Sequence, residues 1–156
     1  MSEEAGGAVR FAGKVDVWFY LITIAANILL IVPAAMAFAD PAKEGALLGA
    51  AISLGCLVVC DALFIPMIAR NYVEFDDEGN FVVVFGWQGV RVPVEKVRAL
   101  RETRSPLAST AASFDRIAIQ LGLEETMIAV KDKEAFYRVV EQRCPHATVE
   151  RRFSKA

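Results

Sequence analysis

Few side chains in this sequence could do chemistry, and they are widely spaced. Asp61 is the first, a lone carboxyl inside the apolar run ALLGAAISLGCLVVCDALFIPMIA. An ionisable group in such a run marks a functional site by default, as a proton relay or an ion ligand. Asn27 lies in the preceding apolar run, VWFYLITIAANILLIVPAAMAF. Asn27 is about ten residues from the outer boundary of the first run and Asp61 about eight from that of the second, so as helices their depths differ by only about 3 Å. An antiparallel pair of helices then lets the Asn27 amide bond a protonated Asp61. The same pair also serves as glue, within one chain or between copies. Glue is the favoured reading, because neither run holds a second ionisable group to complete a relay.

The remaining reactive groups form no constellation. Cys56, Cys60 and Cys144 make no C-x-x-C pair, and His146 is the single histidine. A structural zinc site draws on four such ligands, so neither a metal nor a cofactor is expected, and the cysteines read as small apolar packers. No nucleophile–base pair, glycine-rich phosphate loop or carboxylate pair at helical spacing is visible. The expectation is that the protein is not an enzyme. Residues 70–156 carry fourteen Lys/Arg against thirteen Asp/Glu, which gives no basic face for nucleic acid.

The elements that must position Asn27 and Asp61 are two membrane-spanning helices, Val17–Phe38 and Ala46–Ala69. The chain is 55% hydrophobic, with mean hydropathy +0.39. Residues 17–69 hold only Asp40, Lys43, Glu44 and Asp61 as charges. A bilayer core of about 30 Å takes about 20 helical residues, and both runs suffice. Arg10, Lys14 and Arg70 flank the outer boundaries, while the connecting loop is net acidic. The positive-inside rule therefore puts both termini in the cytoplasm of a multi-pass inner (plasma) membrane protein whose first partner is the lipid bilayer. Trp18, Phe19 and Tyr20 fit an interfacial belt. Pro33 and Pro66 bend the spans where neighbours satisfy the freed carbonyls. Gly49, Ser53, Cys56 and Cys60 form a small-residue ridge suited to close packing or self-association.

Past Arg70 the pattern turns to period two. Strands are expected at 71–75, 81–85, 90–94, 97–104, 116–121 and 126–130, with turns at Asp76–Asn80 and Gly86–Gly89. A helix from about Asp132 ends at Pro145, with Phe136, Val139, Val140 and Cys144 on its apolar face. The expected architecture is a membrane α-helical hairpin followed by an α+β domain, residues 70–146: an antiparallel β-roll closed by the C-terminal helix. Residues 1–14 and 147–156 are expected to be a disordered N-terminus and a flexible tail.

This domain resembles the bacterial PH-like domain of the YyaB type. The resemblance rests on Pro106–Ile117 (PLASTAASFDRI), with proline and small residues leading to serine, an apolar residue, aspartate and arginine. It rests also on Lys131–Phe136 (KDKEAF) at the opening of the last helix and on Arg91–Val97 (RVPVEKV). Ala129-Val130 departs from the family's Ser-Pro, which leaves Asp132 or the preceding backbone to start the helix. The resemblance implies a PH-like roll preceded by one or two spans and implies no settled activity.

Three roles follow. The first is a protein-interaction or self-assembly module, its contact surface the small apolar loop at Leu107, Ser109 and Ser113, flanked by Asp115 and Arg116. For the last two, the favoured reading is as hydrogen-bonding anchors of that loop. The second is recognition of anionic lipid headgroups by Arg91, Lys96, Arg98, Arg101 and Arg104. The third, least favoured, is a small oligomeric transporter built on Asp61.

Overall fold

The computed structural model describes residues 7–103, 112–122 and 124–151. Its first half is a helical hairpin, α1 (Val17–Ala39) and α2 (Ala46–Ala69), joined by a short loop in which Gly45 takes a left-handed φ of 77°. Ala34 and Ala50 are buried in the hairpin, which suits close packing of two helices. Around them, Leu21, Ile28, Leu29, Leu48, Ile52 and Val58 stand exposed. An apolar surface of that extent is alien to a water-soluble monomer. At 23 and 24 residues, the two helices are long and apolar enough to cross a membrane.

Two four-stranded sheets follow. In the first, β1 (Val9–Ala12), β2 (Asn71–Phe75), β3 (Asn80–Phe85) and β4 (Gln88–Pro93) pair antiparallel in that order. A single 3-10 turn at Val94–Lys96 leads to the second sheet. That sheet has the order β7 (Glu124–Ile128), β6 (Arg116–Leu121), β5 (Val97–Thr103), β8 (Thr148–Glu150). Helix α3 (Lys133–Arg143) covers the core between them. Phe136, Tyr137 and Val140 on α3 and Cys144 just after it are buried with Phe75, Phe81, Leu100, Ile117 and Ile119. Asp132 caps α3, its Oδ1 accepting from the Ala135 N–H at 2.9 Å. Tyr137 was not on the apolar face expected from spacing, and Val139, which was, is only half-buried.

Three expectations need correction. The N-terminal segment is not disordered throughout: Val9–Ala12 is a strand on β2, in register from Val9↔Phe75 to Ala12↔Tyr72. The cause is topological. An antiparallel hairpin returns the chain to its starting level, so the residues before α1 and after α2 arrive side by side and antiparallel. Phe11 then enters the core edge-on to Phe136, with ring centroids 5.4 Å apart. A Cβ on Gly13 would overlap the Asn71 side chain, so the chain can cross there only as glycine unless Asn71 moves. The tail is also not wholly flexible. Pro145 stops α3, and Thr148–Glu150 then pairs parallel with β5, its Val149 packed on the core. Finally, the strands form no closed, all-antiparallel roll. Among the described residues the sheets remain separate, and a Gly13–Val130 bridge joins them on one side.

Candidate functional site at the helix–domain junction

Inside the hairpin, Asn27 Nδ2 donates to Asp61 Oδ1 at 2.9 Å and to the Thr23 carbonyl at 3.0 Å. Both bonds lie within one chain. Thr23 Oγ1 donates back to the Phe19 carbonyl at 2.9 Å. A polar track therefore runs up one face of α1 and ends on Asp61. Gly49 and Cys56 of the small-residue ridge stand exposed, while Ser53 and Cys60 are half-buried.

At the domain end of the hairpin, helices and sheet share one apolar collar. Phe19, Phe85 and Ala112 are buried together, with Val15, Trp18, Phe64, Met67 and Ile68 packed on them. Trp18 stacks on Phe114 at 5.1 Å between centroids. Asp16, directly before α1, does not cap that helix. Its backbone N–H donates instead to the Ala112 carbonyl, and its Oδ2 accepts from the Phe114 N–H, both at 3.0 Å. On the other side, Trp87 Nε1 donates to the Ala62 carbonyl at 2.7 Å. The reason lies in the sequence: Pro66, four residues on, has no N–H to offer that carbonyl. The β3–β4 turn supplies the missing donor.

A chain of charges braces the same end. Asp115 binds Lys14 at 3.0 Å and also Lys133. Lys133 lies 3.8 Å from Glu102, whose Oε1 accepts from the Tyr137 hydroxyl at 3.3 Å. Burial opposes the charge on Asp115, but its bonds to Lys133 and Lys14 prevail and hold the carboxyl below its usual range. Burial, aided by the negative charge of Glu102, pushes the Tyr137 hydroxyl well above its ordinary value.

The residues singled out from sequence fall in different places. Leu107, Ser109 and Arg104 lie outside the described residues. Ser113 is 0% exposed and Arg116 4%, so neither is a contact surface. Arg116 Nε donates to the Ser113 carbonyl at 2.5 Å, and Ser113 Oγ accepts from the Asp115 N–H at 3.1 Å. Arg91 is held by Asp76, with Nε at 3.0 Å, and lies 3.1 Å from Glu78. Arg101 pairs with Glu125 at 3.2 Å. Lys96 and Arg98 are exposed and make no ion pair among the described residues. They line an open groove of about 430 Å³ with Val92, Glu95, Leu121, Gly122 and Glu124.

That groove is remote from the hairpin. β2 leaves α2 at Asn71 and runs away from it, so its five residues carry the β2–β3 turn about 16 Å off. Pro93 pairs opposite Asn80 at that far end, and the Val94 N–H donates to the Gly79 carbonyl. Among the described residues no group of three or more His, Cys, Asp or Glu could hold a metal.

Sequence reasoning missed Trp87, Asp16, Lys14, Glu102 and Tyr137. Only Trp87 had a signal available: a proline late in an apolar helix leaves a carbonyl that needs a donor, and an indole in a nearby turn is one.

Residues 71–144 match the family model described as a bacterial PH domain. No curated protein and no solved structure matches the chain.

Proposed function

We propose that this chain, whose residues 71–144 match the bacterial PH domain family, is a two-span membrane protein that holds that domain in one orientation beneath the cytoplasmic face and offers its far end to a protein partner. PH domains are in general non-catalytic interaction modules, and two apolar helices ahead of one suit a membrane-associated module. The observation that carries the reading is the division of labour between the two ends of the domain. The near end is occupied by the collar on α1 and α2. The far end carries the groove with an apolar floor, Val92 and Leu121, and the two exposed cations Lys96 and Arg98.

Headgroup recognition by the arginine set is the weaker reading. Arg91 and Arg101 are engaged in ion pairs, and Lys96 sits at the end facing away from the hairpin. A transporter finds support only in Asp61, whose bond to Asn27 suits a structural role equally.

In-cell photo-crosslinking from position 98 of the full-length chain tests the proposal. A protein adduct that disappears on Lys96→Glu is expected. Adducts to lipid alone, or a protein adduct indifferent to the charge at 96, would count against it.

A further inference from the structure

Trp87 presents a conflict that water does not resolve. Its ring is 68% exposed, yet its only polar atom is turned onto α2, at the Ala62 carbonyl. Indoles with a wet polar end and an apolar body suit membrane interfaces, and here the polar end has a protein partner. Ala62 lies seven residues before the end of α2, which is about 10 Å along the helix axis. The turn is seated closely there: Gly86, at φ 61°, leaves room for a Cβ only 3.1 Å from the Met67 side chain. Around the contact, Val58, Val59, Leu63 and Ile65 of α2 are exposed, so the ring continues the helix's apolar surface. Arg70, at the C-terminal boundary of α2, sets its guanidinium 5.9 Å from the ring centroid.

We propose that the β3–β4 turn is a second membrane contact, with the Trp87 indole seated among the lipid chains against α2 and Arg70 at the level of the phospholipid phosphates. The occupant is the bilayer itself. A ring at that depth has no water to satisfy its N–H, and a donor left unpaired in hydrocarbon costs several kcal/mol. Ala62, freed by Pro66, removes that cost. The inference rests on the reading that α1 and α2 span the membrane, and it adds that the domain enters the bilayer with a part of its own.

Trp18 and Trp87 are the two tryptophans, and Trp18 Nε1 is buried without a hydrogen-bond partner among the described residues. Trp18→Phe therefore removes no bond and leaves Trp87 as the sole tryptophan fluorophore. The full-length variant is reconstituted into phosphatidylcholine–phosphatidylglycerol vesicles with bromines placed either near the glycerol end or mid-chain of the lipids. Trp18→Tyr gives the same reading if the phenylalanine variant does not fold. The expected result is loss of most Trp87 emission to brominated lipid, larger for the shallow bromines, with little loss to aqueous iodide. Emission quenched by iodide and untouched by brominated lipid, in protein that floats with the vesicles after alkaline extraction, overturns this inference and leaves the spanning helices intact. Protein that fails to float overturns both.

Discussion

The two ends of the β-rich domain are held together by different mixtures of forces. The end beside the hairpin is apolar at its centre, where rings of Phe19, Phe64, Phe85, Trp18 and Phe114 pack on one another, and the pairs of Asp115 with Lys14 and Lys133 brace it. The far end is charged. Asp76 accepts from the Glu78 and Asn80 N–H groups, at 3.0 and 2.7 Å, and binds Arg91. Arg143 ties the end of α3 to the Asp76 carbonyl at 3.4 Å. Apolar packing at one end gives rigidity against the helices. At the other, a half-exposed Arg91 covers the buried Asp76 carboxylate and leaves a charged surface facing outward.

Substitutions at the two ends should therefore differ most in stability. Phe85→Ala empties the collar and should cost about 3–5 kcal/mol in chemical unfolding of the full chain in detergent. Arg91→Ala, by contrast, removes a half-exposed cation while Asp76 keeps its bonds from the Glu78 and Asn80 N–H groups, and should cost clearly less than Phe85→Ala. Equal costs would erase the distinction. Trp87→Phe keeps the ring and removes the donor to Ala62, at about 0.5–1.5 kcal/mol, and the same unfolding curve reads it.

The hairpin's polar pair should matter less. Asn27→Leu loses a bond of the kind that averages about 0.6 kcal/mol in membranes. Asp61→Asn keeps an acceptor for Asn27 and should unfold almost as the parent does. A large loss of cellular function from Asp61→Asn at unchanged stability would instead favour a proton relay.

Acid should reveal the charged end. The Asp76 carboxyl is held at about 2: burial opposes its charge, but bonds from the Asn80 backbone and Arg91 prevail. A folded value below the unfolded one, about 3.9, means that the contribution is whole above pH 4 and lost as pH falls towards 2. Asp115 shifts in the same direction. Asp76→Asn should flatten the part of the acid dependence that falls in this window, measured by thermal unfolding against pH.

Much of this was legible in the sequence where the cause is local. The helices follow from unbroken apolar runs, and most strands from alternation with turn residues between them. Asn27 and Asp61 could be matched by counting residues along two antiparallel helices. What could not be read depends on distant neighbours. β1 exists because the hairpin brings Val9–Ala12 beside Asn71–Phe75, and the four residues VRFA do not announce that. Arg91 reads as a free cation until Asp76, fifteen residues earlier, folds back on it. Ser113 reads as surface, yet it is buried, with Arg116 Nε on its carbonyl.

The domain is docked on the hairpin and not merely tethered to it. Hydrogen exchange in nanodiscs tests it most directly, at the Asp16 amide, the Phe114 amide and the Trp87 indole N–H, whose acceptors are the Ala112 carbonyl, the Asp16 carboxylate and the Ala62 carbonyl. All three should exchange slowly, in step with the amides of β3. Exchange at the rate of an exposed loop, with β3 still protected, would contradict it.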